Sequence, residues 1–234
     1  SEFPIMVLDV YSRSKAMVIK LNNGQSIISH NQLYGKWTIN KLETKLKNNR
    51  VLRIEFITET HAVRLWSATN IMLIDSTEEE SHKYISNLGP DILDNKTDGS
   101  KVLNRLISKK FKKRSLSSLL LDQSFIAGLG NYLRSEILFD SKIMHHRKPI
   151  DLSTAEVEKL SNSIKSISIV AYVLKGKTID FKLKSSTYHD LSISSRSRFW
   201  VFDRENKKCY VCTNIINKVK VSNRRIYFCP NCQK

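Results

Sequence analysis

The chain has 234 residues, 41% of them apolar, which allows one large domain or two smaller ones with real hydrophobic cores. Its 39 Lys and Arg against 22 Asp and Glu give a net charge of +17, which favours a polyanionic partner, nucleic acid first, over a merely solvated lysine-rich surface. The longest apolar runs, Leu119–Leu121 and Ile167–Leu174, are too short or interrupted to span a bilayer, so a helical membrane protein is excluded.

The first part of the chain alternates as sheet does. Met6–Val10, Ala16–Leu21 and Gln25–Ser29 read as short strands, the last two joined across Asn22-Asn23-Gly24, whose Asn-Gly step suits a tight hairpin. Val51–Ile57 and Ala62–Trp66 form a second hairpin, with Leu52, Ile54 and Phe56 on one face. Residues 1–75 are therefore expected to be an antiparallel β domain. Residues 76–100, with Glu78-Glu79-Glu80, Gly89-Pro90 and the polar Asp94–Gly99, read as a linker. The acidic run is most simply a solvated face that a nucleic acid would avoid.

From residue 101 to 198 the apolar period becomes helical. Val102, Leu103, Leu106, Ile107 and Phe111 make one stripe, and Leu116–Ala127 reads as a second helix. Gly128-Leu129-Gly130 then allows positive φ at both glycines, and Asn131 opens the next helix, which runs to Phe139. Asn131 is either an ordinary helix start or, with the first N–H groups of its helix, a phosphate site. Ser153-Thr154-Ala155-Glu156 is a capping box for a further helix with Val157, Leu160 and Ile164 inward. Lys175–Ser197 has little pattern and reads as a long mobile loop.

Residues 199–234 hold all four cysteines, as Cys209-Tyr-Val-Cys212 and, sixteen residues on, Cys229-Pro-Asn-Cys232. Two CxxC turns facing each other across a short hairpin bring four thiolates to one point, and tetrahedral zinc with four sulfurs keeps no open position for chemistry. A structural zinc ribbon is preferred over two disulfides or a redox CxxC. Asn214–Val221 and Arg225–Phe228 would be its strands, with Ser222-Asn223-Arg224 as a basic tip.

Leu121–Leu138, with its double-glycine turn, resembles the helix-two-turns-helix motif of the formamidopyrimidine-DNA glycosylase and endonuclease VIII family, and the cysteine hairpin resembles that family's zinc finger. Ser29–Trp37, Gly89-Pro90-Asp91 and Ser222–Gln233 are most similar to the bacterial endonuclease VIII branch, and the resemblance runs from about Val7 onward. It implies an α+β fold: a β-sandwich-like N-terminal domain, then a helical domain with the motif and a zinc ribbon carrying one structural Zn(2+).

The implied function is base-excision repair of duplex DNA with oxidised or abasic nucleotides. A monomeric glycosylase and lyase would act in the bacterial cytoplasm at the nucleoid, or in another reducing compartment that holds DNA. Gln32, Leu33 and Tyr34 would fill the gap left by a flipped base, Asn131 would hold a phosphate, and Arg224 and Arg225 would reach neighbouring phosphates. Lys15 would be a strand-borne lysine near the scissile nucleotide, with a catalytic or DNA-binding part.

The family's nucleophile is an N-terminal proline followed by glutamate, whereas this chain opens Ser1-Glu2-Phe3-Pro4. Without gaps, Ile5–Val10 falls on an interior strand of the family's domain, so truncation that impairs catalysis is expected, with Ser1–Phe3 as a cloning remnant. The alternative alignment makes the Ser1 amine the nucleophile and Glu2 its proton-handling partner. A non-catalytic module for damaged or abasic DNA is the competing function, and a zinc ribbon of transcription or translation the third. His145 and His146 have no third metal ligand in reach, Asp122 and Glu136 read as structural or surface charges, and Trp37, Trp66 and Trp200 as core.

Overall fold

Seven strands arise where short apolar stretches alternate with polar residues: β1 (Val7–Arg13), β2 (Ala16–Leu21), β3 (Gln25–His30), β4 (Lys36–Lys41), β5 (Leu52–Ile57), β6 (His61–Trp66) and β7 (Asn70–Asp75). The computed structural model describes residues 4–45, 49–179, 193 and 197–234. These form two compact units, Ser1–Asn87 and Leu88–Lys234.

In the first unit, β1-β2-β3-β7 and β4-β6-β5 are two antiparallel sheets. Register places Tyr11, Val18, Ile28 and Met72 in one row across the first sheet, and Ile85 of α1 (Lys83–Ser86) packs on them. The sequence reading passed over β4 and β7. β4 is half polar and largely on the surface, and β7 is a continuous apolar run whose strand character comes from pairing with β3.

β1 is an edge strand among the described residues and leaves Leu8 and Val10 more than half exposed. Two expectations need correction here. A bulge shifts the register between Leu52 and Ile54, so Leu52 lies opposite Trp66 and leaves the face it was expected to share. The acidic run is not simply solvated: Glu79 is buried, accepts the Tyr11 hydroxyl and pairs with Arg13 and Lys20.

The second unit contains α2 (Gly99–Ile107), α3 (Leu116–Leu119), α4 (Asn131–Ser141), α5 (Thr154–Val173) and the hairpin β8 (Asn217–Val221) and β9 (Arg224–Phe228). Asp98 caps α2, and the expected Ser153/Glu156 capping box opens α5. The core joins Leu106, Phe125, Ile137, Leu160 and Ile226, so β9 of the hairpin shares the apolar interior of the helices.

The helix expected over Leu116–Ala127 stops at Leu119. Beyond it side chains take the backbone groups a helix needs: Asp122 accepts the Ser124 N–H, while Gln123 accepts the Gly128 N–H and donates to the Leu121 and Leu129 carbonyls. Positive φ occurs at Gly128 (+97°) but not at Gly130, which is extended and caps α4. Most of the stretch expected as a mobile loop, Lys175–Ser197, lies outside the described residues. No helix among the described residues is long and apolar enough to cross a membrane.

Candidate nucleic-acid interface

Asn131 is the first residue of α4, and its helix start has no side-chain cap. Its N–H and those of the next residues lack intrahelical partners and stand at the positive end of the helix dipole. The Asn131 side chain is fixed at both ends. Nδ2 donates to the main-chain carbonyl of Arg225 at 3.0 Å, and Oδ1 accepts from Arg134 Nη2 at 2.8 Å.

Arg134 is 1% exposed and completes the joint. Nη2 also donates to the Arg225 carbonyl at 3.0 Å, and Nη1 donates to the Ser117 carbonyl of α3 at 2.8 Å. Burial, with the Arg224 guanidinium nearby, pushes its pKa down to about 10. α3, α4 and the hairpin are therefore locked through one guanidinium.

The hairpin tip turns through Ser222 and Asn223, both at positive φ (47° and 60°), as a two-residue turn between right-twisted strands requires. Arg224 and Arg225 follow at once and are exposed. The Arg225 carbonyl faces Asn131 and Arg134, so the two arginine side chains stand at the edge of the α4 N-terminus.

The four cysteine sulfurs lie within 4.8 Å of one another, with Cys209 and Cys232 at 3.9 Å and Cys212 and Cys229 at 3.3 Å. Four sulfurs each about 2.3 Å from a zinc ion would be separated by about 3.8 Å, so the cluster has the dimensions of a tetrahedral metal site. The thiols are free, and the Val211 N–H points at Cys209 Sγ. The cluster packs on Phe139, Val201, Ile216 and Tyr227, which ties its integrity to that of the hairpin.

In the first unit, Gln32, Leu33 and Tyr34 form the turn between β3 and β4. Leu33 is 79% and Tyr34 70% exposed, so neither packs into a core. The turn itself is braced. Gln32 has φ +49°, its N–H donates to His30 Nδ1, and its Oε1 accepts from Thr69. The Gly35 N–H bonds back to Asn31, and Arg50 donates to the Tyr34 carbonyl. Lys15 is not on a strand as expected. It sits exposed in the tight turn between β1 and β2, where its charge, after burial, lowers the His30 pKa. Ser1 and Glu2 lie outside the described residues.

The family model for the formamidopyrimidine-DNA glycosylase H2TH domain matches residues 88–182. Endonuclease 8 of Salmonella arizonae is 37% identical over 229 residues, covering 98% of this chain and 84% of the relative. Endonuclease 8 of Klebsiella pneumoniae is 36% identical over 227 residues, covering 97% and 83%. The chain belongs to the formamidopyrimidine-DNA glycosylase and endonuclease VIII family. The fold agrees with a solved structure of Lactococcus lactis Fpg in complex with DNA containing an abasic site, at TM-score 0.80 and 23% identity, over 98% of this chain and 83% of that one. A complex of MutM with DNA containing carbocyclic 8-oxo-G gives 0.79 at 21% identity, over 98% and 82%.

Within this family member, sequence reasoning missed Arg134, which reads as one more charge on a helix. Of the two readings of Glu136, structural or surface charge, the structural one holds. Glu136 is fully buried, and its carboxylate accepts the Trp200, Val201 and Phe202 N–H groups and the Thr178 hydroxyl. Burial pushes its pKa up while those four donors oppose the rise. Asp122 is the structural partner of Arg114, as read. Trp66 is core, whereas Trp37 and Trp200 are half-buried.

Proposed function

We propose that this protein acts in base-excision repair of duplex DNA, as a glycosylase and lyase of the endonuclease VIII type directed at oxidised pyrimidines and abasic sites. The observation that carries the reading is the Arg134 joint, which presents the open N-terminus of α4 and the arginine-tipped hairpin as one rigid edge. Asn131 and the α4 N–H groups suit one phosphate, and Arg224 and Arg225 suit its neighbours. Extruding a base costs a few kcal/mol of unstacking, which the braced turn of Gln32, Leu33 and Tyr34 can offset by inserting an apolar and an aromatic side chain. The DNA complexes of Fpg and MutM support duplex DNA as the partner.

The cysteine cluster fits one structural zinc ion, which supplies cross-linking and no reaction step. The absence of disulfides among these four cysteines fits the bacterial cytoplasm at the nucleoid, or another reducing compartment that holds DNA. Release of the base needs an amine that attacks C1′ and forms a Schiff base. The Ser1 amine and Glu2 carboxylate are the candidates of the alternative alignment, and impaired catalysis is the expectation of the preferred one.

Borohydride trapping on a duplex with an oxidised pyrimidine, run beside a binding assay on a duplex with an abasic analogue, tests the reading. Binding weakened by Asn131→Ala and by Arg224→Ala is expected. Capture abolished by blocking the N-terminal amine assigns the nucleophile to Ser1, and binding without capture leaves a damaged-DNA binding protein. Binding indifferent to both substitutions overturns the proposal.

A further inference from the structure

Between α2 and α3 the chain runs Lys109-Lys110-Phe111-Lys112-Lys113-Arg114 through successive turns, closed by bonds from the Phe111 and Lys112 N–H groups to Ser108 and from Arg114 to Phe111. Phe111 is 2% exposed and meets Phe125 edge-on at 5.3 Å, so it pins the run to the core and turns its neighbours outward. Lys109, Lys110 and Lys113 are exposed and Lys112 is half-buried.

A second segment lies alongside. Leu116 and Ser117 donate to the Arg147 and His145 carbonyls, and Ile150 donates to the Lys112 carbonyl. It adds exposed Lys148 to the same ridge. Arg114 and Arg147 are neutralised by Asp122 and Glu156. Among the described residues no carboxylate forms an ion pair with the ammonium groups of Lys109, Lys110, Lys112, Lys113 or Lys148; Asp151 accepts the main-chain N–H of Lys148, and Lys110 Nζ lies 5.2 Å from the centre of the Phe111 ring.

The ridge is also joined to the edge described above. Ser117, whose N–H fixes the second segment, gives its carbonyl to Arg134, and the His145 ring rests 5.2 Å from that of Phe228 on β9. Clustered unpaired charge of one sign destabilises a fold unless a polyanion offsets it. Lysine ammonium groups act as mobile point charges that suit phosphates in no fixed geometry, whereas the hairpin presents planar arginines.

We propose that this lysine ridge is a second phosphate-contacting surface for duplex DNA, continuous with the Asn131 edge and indifferent to base and lesion. The proposal rests on the DNA-repair reading. It assigns the ridge to overall affinity and its salt dependence, and the Asn131 edge and the Gln32–Tyr34 turn to the lesion.

The test replaces Lys109, Lys110, Lys112, Lys113 and Lys148 by glutamine in the full chain. A control of equal charge replaces exposed Lys101, Lys159, Lys175, Lys207 and Lys208. Affinities for abasic-analogue and undamaged duplexes are measured across a salt series. Each lost phosphate contact flattens the log–log salt slope by about 0.9, so the ridge variant is expected to lose about two units of slope and about tenfold in affinity relative to the control. Its preference for the damaged duplex should stay unchanged. Equal slopes in ridge variant and control, with Asn131→Ala still weakened, overturn the ridge alone. A collapse of lesion preference, or an effect confined to single-stranded RNA, also overturns it. Failure of the unsubstituted chain to bind duplex DNA removes the repair reading and the ridge together. Should the fivefold variant melt early, the triple variant of exposed Lys109, Lys110 and Lys113 gives the same readout, with a proportionately smaller slope change.

Discussion

Arg134 and Arg225 are 91 positions apart, yet the guanidinium of the first donates to the main-chain carbonyl of the second at 3.0 Å. The same guanidinium holds the Asn131 side chain and the α3 carbonyl of Ser117. A lysine at this position keeps the charge but cannot span three acceptors with one planar fork. Arg134→Lys should cost about 2–4 kcal/mol in urea unfolding, because buried acceptors are left unpaired. It should also lower affinity for abasic duplex about as much as Asn131→Ala. The double variant is expected to be markedly less than additive, with a coupling of about 1 kcal/mol or more. Strict additivity would mean that Arg134 does not act through Asn131.

Leu33 and Tyr34 give the opposite pattern, because they are exposed and contribute little to the fold. Leu33→Ala with Tyr34→Ala should change stability by no more than about 0.5 kcal/mol. The same variant should lose base opening, read as a reduced rise in 2-aminopurine fluorescence opposite an abasic site. Gly35→Ala should do this by another route. A Cβ there would lie 2.6 Å from the Asn31 main chain, so the turn must open and the two side chains lose their aim. Full fluorescence in either variant would remove the turn from base opening.

What was legible in the sequence is what short spacing fixes. The CxxC pairs and the Ser153/Glu156 capping box depend on residues a few positions apart and took their expected local form, and of the two glycines expected at positive φ Gly128 has it. The false helix over Leu116–Ala127 had the right apolar period, but Asp122 and Gln123 compete for its backbone groups. Arg134 was beyond reach for a different reason, and the structural reading of Glu136 could not name its partners. Those of Glu136 lie 42 to 66 positions away and the Arg225 carbonyl lies 91 from Arg134, and no local pattern announces such contacts.

Glu136 receives three backbone N–H groups and one hydroxyl, so it holds residues 200–202 to α4. Glu136→Gln places an amide donor against those N–H groups. The expected cost is about 1–3 kcal/mol, with faster hydrogen exchange at the amides of residues 200, 201 and 202. Unchanged protection there would show that the segment is held by packing alone.

Metal removal should reach beyond the cysteines, since Phe139, Val201, Ile216 and Tyr227 pack on the cluster. Chelation is expected to release one zinc per chain, lower the melting temperature and weaken DNA binding together. Cys212→Ser should retain less metal than the parent in atomic absorption. Loss of zinc with an unaltered hairpin, seen as unchanged amide protection on β8 and β9, would sink this coupling.

Acid should loosen the protein at two imidazoles. Burial, with Lys15 nearby, lowers the His30 pKa, and burial, with His146 and Arg134 nearby, lowers that of His145. Each folded pKa lies below the unfolded value of about 6.5, so the unfolded chain binds more protons as pH falls through that value. The stabilisation is therefore complete above about pH 6.5 and is lost progressively down to the folded pKa values. His30 carries a further consequence, because its Nδ1 accepts the Gln32 N–H that shapes the exposed turn. Protonation of that nitrogen abolishes the bond, so base opening by Leu33 and Tyr34 should weaken with acid in step with His30. Urea midpoints at about pH 7.5 and about pH 5.5 test the first claim, with His145→Gln expected to narrow the difference. NMR titration of His30 beside the 2-aminopurine signal tests the second. A signal that does not follow the His30 curve separates the turn from that imidazole.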